Sequence, residues 1–479
     1  MNDGAAGIGW GLTDLPRPWA GRPGLLTLLR ASHEIESCEL PITRAWGSVA
    51  PSQEIDLLAI RSVRQAVAEL AAAPGPDALA RLYRLVRARA VFGVVDDEAT
   101  TQHELDVIPS EKRRAIGQLF AAEAPDLNAT KFGLVLLANA VTTVDRDLVL
   151  DLGSHPELTL AAVAILANPL HPDELGLFEL AQRVDGWARV LVIEHLMDTT
   201  NPTVCAWLLR DGYRSSLGHE ALAYICAVTG GLHTALARPR IDAALVRSAA
   251  EIFIALVHGS TAGDLGDYEF CRVAVRAWVG HLRQHGIDLY SLTALDGLYG
   301  SELFSGELAE QLTELRSGRD VEALIHAGLS WPESETFQMA DIAAMRRGLA
   351  SFDAHEARVR SGARDATYSV PRMLEQSDSS NIDRALDAVR GLPGGADSDP
   401  LVELAPVVLE LRRYAGKGTD FIHAALRSSN VVLRRLAVEA LSAWPSAAIS
   451  AALRVSVIEA LARETDADLV RVLEALSRR

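Results

Sequence analysis

Residues 186–209, GWARVLVIEHLMDTTNPTVCAWLL, contain the first of three related octapeptides. The copies are RVLVIEHL at 189–196, RRLAVEAL at 434–441 and RVSVIEAL at 454–461. Each has Arg first, Ala or Val fourth, Val or Ile fifth, Glu sixth and Leu eighth. The fourth, fifth and eighth positions fall on one face of a helix with 3.6 residues per turn. Each copy is therefore predicted to be an amphipathic helix that buries this face.

A helix-capping residue lies four positions before the first Arg of each copy, at Asp185, Asn430 and Ser450. Side chains of these types accept hydrogen bonds from the free N–H groups of a first helical turn. Further helix starts are predicted at Asn201, which precedes a proline, and at Asp466. The second and third copies begin 20 residues apart (454 − 434 = 20), which is the length of one helix and one turn.

Short amphipathic helices at this spacing bury their apolar faces by stacking on one another, which produces a solenoid. In this respect the chain resembles the HEAT-repeat (armadillo-like) family, in which Asp or Asn in a turn precedes Arg and an apolar helical pattern. The positions that carry the resemblance are Asp185 with Arg189, Asn430 with Arg434 and, as a partial match, Ser450 with Arg454. The family implies an all-α fold, specifically a right-handed α-solenoid of HEAT-like helical hairpins. In such a stack, Leu196, Leu441 and Leu461 at the eighth position are structural residues, and we expect Leu196 and Leu441 to be buried.

Composition along the chain predicts four regions. Residues 1–52 contain Gly and Pro without a helical period, and they predict an irregular N-terminal extension. Apolar residues recur with a helical period over 53–360, which predicts a helical-repeat solenoid. Ser, Gly and Pro are frequent over 361–400, and we expect a linker there with one helix. Residues 401–479, which hold two octapeptides, are predicted to form a C-terminal HEAT-like module.

The chain of 479 residues is acidic, with a net charge of −17, and only 5% of its residues are aromatic. Few aromatics with abundant Ala and Leu favour helix packing over a sheet sandwich. The negative charge disfavours nucleic acid as a partner, because phosphate recognition needs a basic face. We see no signal peptide and no apolar run of the roughly 20 residues that a membrane span needs. A cytoplasmic protein without a membrane span is expected.

Chemical motifs are sparse. The cysteines, Cys38, Cys205, Cys226 and Cys271, are scattered without a C-x-x-C pair, so neither a zinc site nor a redox motif is indicated. The sequence has no P-loop, no dinucleotide fingerprint, no G-x-S-x-G elbow and no H-E-x-x-H motif. We therefore predict no catalytic residue and no bound cofactor.

Two places are weak candidates for a metal. His281 and His285 are four residues apart on a predicted helix, which puts both rings on one side. Two histidines are too few for most metals, so ordinary surface histidines are the favoured interpretation. His103 lies within the acidic stretch DDEATTQHELD at 96–106, for which a solvated loop is favoured over a cation site.

Aromatic and arginine side chains are candidates for partner binding. Trp187, Trp207 and Tyr224 could line a groove, although aromatics at such helix positions more often belong to the core. The first Arg of each octapeptide could also bind a partner. A packed stem with a hydrogen bond to the preceding turn is the favoured interpretation for these arginines.

Residues 186–233 also resemble part of a group of bacterial proteins that carry the label limonene hydroxylase. The segments that carry this resemblance are GWAR at 186–189, AWLLR at 206–210 and AYICA at 223–227. The resemblance implies terpene oxidation, which requires haem, flavin or an activated metal. The sequence shows no haem-thiolate loop, no flavin fingerprint and no clear triad of two His and one carboxylate.

The favoured function is a protein–protein interaction scaffold or adaptor, by analogy with the solenoid fold. Its partner would be another protein, whose identity the sequence does not give. The first alternative is an oxidoreductase of the terpene-hydroxylase type, which a bound chromophore or metal would favour. The second is a nucleic-acid-binding helical-repeat protein, which a continuous basic groove would favour.

Overall fold

The computed structural model describes residues 11–33, 57–88, 108–138, 146–363, 365–392 and 400–479. Within these ranges the chain forms 26 α-helices, a short π-helix and a 3-10 turn, and it has no β-strand. The prediction of an all-α fold is therefore confirmed for the described residues. None of these helices is both long enough and apolar enough to cross a membrane.

The chain divides into two compact units, Met1–His285 with Gly300–Leu308, and Gly286–Tyr299 with Ala309–Arg479. The helices of the first unit are α1 (Leu25–His33), α2 (Leu57–Ala72), α3 (Pro76–Ala88), α4 (Ser110–Glu123), α5 (Leu127–Leu137), α6 (Arg146–Gly153), α7 (Thr159–Leu166), α8 (Glu174–Arg183), α9 (Gly186–Glu194), α10 (Pro202–Trp207), α11 (Glu220–Thr229), α12 (Leu232–Leu236), α13 (Ala243–His258) and α14 (Cys271–His285). The π-helix, Leu208–Gly212, continues α10. Many helices of this unit pack on the next helix and on the next but one, as α7 does on α8 and α9.

The helices of the second unit are α15 (Leu289–Leu298), α16 (Glu307–Arg316, which enters this unit at Ala309), α17 (Val321–Leu329), α18 (Ser334–Arg346), α19 (Phe352–Ser361), α20 (Ala366–Glu375), α21 (Ile382–Arg390), α22 (Pro400–Leu411), α23 (Thr419–Arg427), α24 (Val431–Ala443), α25 (Ala451–Leu461) and α26 (Ala467–Ser477). The 3-10 turn is Ser446–Ala448. The same packing order recurs here, since α22, α23 and α24 each pack on the helix two places further along. One apolar core runs through α19 to α26.

The described part of the predicted N-terminal extension is packed against the first unit. Trp19 is buried, and its ring lies 4.9 Å from the ring of Tyr83 and 5.4 Å from that of Phe120. Arg17 pairs with Glu123 through two hydrogen bonds of 2.5 and 3.0 Å. Residues 11–24 thus form no helix or strand, but they pack against α3 and α4.

All five predicted N-cap residues lie at the start of a helix and accept a backbone hydrogen bond there. Asp185, Asn430 and Ser450 accept hydrogen bonds from backbone N–H groups of α9, α24 and α25 at 2.6, 2.9 and 3.3 Å. Asn201 and Asp466 cap α10 and α26 in the same way. Each cap satisfies one of the N–H groups that a first helical turn leaves without a partner.

The described part of residues 361–400 differs from the predicted linker. It contains two helices rather than one, α20 and α21, and their side chains Met373 and Leu386 lie in the core that runs through α19 to α26. The polar stretch between these helices forms a tight turn, in which the Asp378 carboxylate accepts backbone hydrogen bonds from Ser380 and Asn381. Its Ser-rich composition therefore marks a turn between packed helices.

Candidate interaction surface

The octapeptides bury most of the apolar face that the sequence predicts. In the first two copies the fourth, fifth and eighth positions are all buried, including Leu196 and Leu441. In the third copy Val457 is buried and Leu461 is partly buried, but Ile458 is 56% exposed, which corrects the prediction. The difference lies in the neighbouring helices: α9 and α24 are packed against the helix two places further along, α11 and α26, whereas the main contacts of α25 are with α23 and α26.

The arginines of the octapeptides bind the backbone of the preceding turn, as predicted. Arg189 donates to the Val184 carbonyl at 2.8 Å, and Arg454 donates to the Ser446 carbonyl at 3.1 Å. Arg434 donates to the carbonyls of residues 428 and 429 and also forms two hydrogen bonds, of 2.7 and 3.0 Å, with the buried carboxylate of Glu464. These bonds from Arg434 outweigh burial and hold the pKa of Glu464 at about 2. The arginines therefore act as ties within the fold.

The two histidines of the weak metal candidate bind backbone carbonyls separately. His281 Nε2 lies 2.9 Å from the Leu236 oxygen, and His285 Nε2 lies 3.1 Å from the Ile241 oxygen. Since a carbonyl only accepts hydrogen bonds, each Nε2 carries the proton, and a metal would have to bind through the Nδ1 atoms. His281 is buried, which corrects the expectation of two surface histidines.

Across the described ranges, no group of three or more His, Cys, Asp or Glu side chains is arranged to hold a metal ion. His103 with its acidic stretch at 96–106, and Cys38, lie outside the described residues. The other three cysteines are free thiols. Burial raises the pKa of the Cys226 and Cys271 thiols, so neither is activated as a nucleophile.

The three aromatic candidates have different surroundings. Trp207 packs edge-on against Phe178, with 5.4 Å between the rings. Tyr224 lies so close to Gly263 that a side chain there would meet its ring at 2.6 Å, and Gly263 also has a φ of +147° that favours glycine. Trp187 is 53% exposed at the start of α9. Two of the aromatics thus serve packing, and one remains at the surface.

The densest polar cluster in the described residues is one that the sequence analysis missed. The carboxylate of Asp341, which is fully buried in α18, accepts four hydrogen bonds. Ser351 Oγ and His355 Nε2 lie 2.7 and 2.9 Å from Oδ1, and Tyr368 OH and Arg372 Nε lie 2.8 and 2.9 Å from Oδ2. Burial alone would raise the pKa of Asp341, but the bonds from His355, Ser351 and Arg372 outweigh it and keep the pKa well below its usual range.

Ser, His and Asp are the residue types of a hydrolase triad, but the hydrogen bonds between them are arranged differently here. Ser351 Oγ donates to Asp341 and not to His355, so the histidine is not placed to activate it. Ser351 and His355 are both buried, so no substrate reaches them in this conformation. The cluster accordingly stabilises the packing of α18, α19 and α20. A sequence signal did exist, since Asp341 is a lone carboxylate in the apolar stretch MADIAAM at 339–345.

A second buried carboxylate, Glu251 in α13, is satisfied in a similar way. Tyr213 OH donates to it at 2.5 Å, and Arg214 and Arg247 lie 3.1 and 3.2 Å away. Burial, together with the hydrogen bond to Glu251, raises the pKa of Tyr213. Both units therefore use a tyrosine and arginine to neutralise a carboxylate inside the fold.

The candidate site is instead an apolar surface in the first unit. Four large apolar side chains there are between 45% and 76% exposed: Leu170 in the turn before α8, Leu175 in α8, Met197 after α9 and Val228 near the end of α11. We call this set the α8–α11 rim. Most large apolar side chains of the described chain are buried, so a set of four on connected elements is a candidate binding surface.

Hydrogen bonds hold the elements of the α8–α11 rim together. Thr199 Oγ1 donates to Glu174 at the start of α8 at 2.5 Å, and Thr229 Oγ1 donates to the Met197 carbonyl at 3.2 Å. The thiol of Cys205 lies 3.6 Å from the Thr229 carbonyl and 3.9 Å from that of Thr199. These bonds link the start of α8, the turn after α9 and the end of α11, which are the segments that carry Leu175, Met197 and Val228.

The charges around the α8–α11 rim are acidic. Glu174, Glu194 and Asp198 are exposed next to its apolar residues.

Neither a protein-family model nor a curated protein sequence matches this chain.

Proposed function

We propose that this chain is a HEAT-like α-solenoid that serves as a protein–protein interaction scaffold or adaptor, and that it binds its partner through the α8–α11 rim. The observation that carries this proposal is the set of exposed apolar side chains on hydrogen-bonded helix ends. Contiguous exposed apolar groups with a polar border are typical of protein-binding surfaces. The side chains of residue types common in catalysis and metal binding, His281, Ser351 and His355, instead form hydrogen bonds inside the fold.

The solenoid part of the proposal is supported by the period of the contacts. In a stack of helical hairpins, each helix meets the next one and the one after that. Helices of both units pack in this order. Ion pairs recur at a similar period, since Arg210–Asp242, Arg390–Asp420 and Arg434–Glu464 are separated by 32, 30 and 30 residues. A spacing of about one hairpin is what stacked repeats produce.

The chemistry of the α8–α11 rim defines the partner that fits it. Its apolar centre requires an apolar anchor on the partner, such as Leu, Phe or Trp in a helix or turn. Its exposed acids, Glu174, Glu194 and Asp198, favour Lys or Arg around that anchor. We therefore propose a partner protein with an apolar anchor inside a basic surface. Because the charged contacts are exposed, added salt should lower the association rate of the partner and change its dissociation rate little.

The test compares partner capture by three forms of the full chain in cells of the native host. The forms are the parent chain, a variant with Leu175→Asp and Met197→Asp, and the control Val273→Asp. Val273 is also exposed, at 55%, but it lies in α14 and outside the rim. We expect cross-linking and mass spectrometry to find a protein bound to the parent chain and to the control but lost from the rim variant.

Two controls make the result decisive. Far-UV circular dichroism of all three forms should be the same, which shows that a lost partner reflects the surface and not the fold. Capture of the same proteins by the parent chain and the rim variant would exclude the rim as the binding surface. Haem or flavin present at one per chain in the parent preparation would instead favour an oxidoreductase.

A further inference from the structure

Helix α25 exposes an apolar stripe along its whole length. Ala451, Val455, Ile458 and Ala462, which directly follows the helix, are all exposed, and Val455 and Ile458 are 55% and 56% exposed. Their spacing of four, three and four residues keeps them on one side of a helix and matches the seam of a helix pair. Because all four side chains are exposed, no other part of the described chain covers this stripe.

The other octapeptides show what normally lies on such a face. Ile458 corresponds to Ile193 in α9 and to Val438 in α24, and both of these are buried. In each case the helix two places further along packs on the octapeptide helix. The position of Ile458 is therefore one that this protein covers with a helix in its other two octapeptides.

The stripe is complementary to itself under a two-fold rotation. Ala451 and Ala462 are equally far from its midpoint, and so are Val455 and Ile458. When two copies of α25 lie antiparallel, Val455 meets Ile458 of the second copy, and small alanines meet at both ends. Alanine at the ends lets the two helices approach closely. This is the condition for an isologous contact, in which each residue has the same partner on both sides.

From this symmetry we infer that a second copy of the chain covers α25, in a two-fold dimer with antiparallel α25 helices. The inference does not depend on the proposed function, because it uses a different unit and a different surface. The side chains Arg454 and Glu459 flank the stripe on its two sides and carry opposite charges, so the contact itself is close to neutral. One helix pair is smaller than a standard protein interface, so the dimer exchanges with monomer.

Sedimentation of the full chain over a range of concentrations tests the dimer. We expect the mass to rise from 51.5 kDa toward twice that value as concentration increases. Each copy carries −17, so added salt should screen the repulsion between copies and strengthen the association. Ile458→Asp should leave a monomer at all of these concentrations. Val472→Asp, at an exposed apolar site of α26 outside the stripe, should dimerise as the parent does.

Cross-linking tests the antiparallel register. Ala451 and Ala462 are 11 residues apart, which is about 16 Å along a helix, far beyond the reach of a disulfide. A mixture of Ala451→Cys and Ala462→Cys chains should form a mixed disulfide, and either variant alone should not, with the parent chain as control for its own thiols. A monomer at every concentration, a dimer that survives Ile458→Asp, or equal cross-linking by one variant alone would overturn the inference.

Discussion

The octapeptides of α24 and α25 share Arg, Glu, Ala and Leu at the first, sixth, seventh and eighth positions, but they have different surroundings. The fifth position is 2% exposed at Val438 in α24 and 56% exposed at Ile458 in α25. The first position binds a buried carboxylate through Arg434 in α24, but only backbone through Arg454 in α25. The comparison teaches that the octapeptide specifies a helix with one apolar face. How much of that face is buried depends on whether a neighbouring helix packs against it.

The largest expected effect comes from placing a charge at the fifth position. Val438→Asp places a carboxylate at a buried apolar position, and it should cost more than about 4 kcal/mol of unfolding free energy. Ile458→Asp keeps its charge in water and should change the stability of the monomer by less than about 0.5 kcal/mol. Urea unfolding at low protein concentration measures both. Equal losses in the two variants would mean that α25 is covered in the monomer.

Substitutions at the eighth position should give a smaller difference in unfolding free energy between α24 and α25. Leu441→Ala removes a fully buried side chain and should cost about 2–5 kcal/mol. Leu461 is only partly buried, so Leu461→Ala should cost clearly less, because fewer contacts are lost. Urea midpoints of the two variants, compared at the same slope, give the difference. A larger loss for Leu461→Ala would contradict the burial described for α25.

Removal of the arginine at the first position should change stability in acid differently in α24 and α25. Glu464 has a folded pKa of about 2, below its usual value of 4.5, so it favours folding above about pH 4.5. This contribution is lost as pH falls from about 4.5 toward 2. Arg434→Met should remove most of that pH-dependent loss, whereas Arg454→Met should leave it unchanged. Thermal unfolding at pH steps between 2 and 6 measures the effect, and identical pH profiles for the parent and Arg434→Met would exclude this ion pair as its source.

The smallest effect should be the same in both helices. Asn430→Ala and Ser450→Ala each remove a side chain that accepts a first-turn N–H group, and each should cost about 0.5–2 kcal/mol. Because a cap acts within its own helix, the exposure of Ile458 should not change the cost. Replacement by Gly at either position is the control, since it costs only a few tenths of a kcal/mol.

Local features of this fold could be predicted from sequence, and features that join distant residues could not. The caps at Asp185, Asn430 and Ser450 depend on neighbours within three residues, and the structure has them all. The exposure of Ile458 depends on whether another helix lies over α25, which the octapeptide does not encode. Polar composition over 361–400 does not distinguish a linker from a turn, and its serines form a turn between two packed helices.

The candidate surface and the buried polar cluster illustrate the same limit. Leu175, Met197 and Val228 lie on three separate segments of the chain, which are joined by hydrogen bonds between distant residues. Asp341 meets partners that lie 10 to 31 residues further along the chain. No short motif contains either set, and periodicity alone does not distinguish an apolar residue that faces the core from one at an uncovered edge.

The carboxylate of Asp341 has a consequence for how the second unit opens. Its four donors come from the start of α19, from α19 itself and from α20, so no one of these helices can detach without leaving a buried charge short of partners. We therefore expect the three helices that share this acceptor to open together. Backbone amides throughout α18, α19 and α20 should show the same free energy of opening in hydrogen–deuterium exchange, as one foldon.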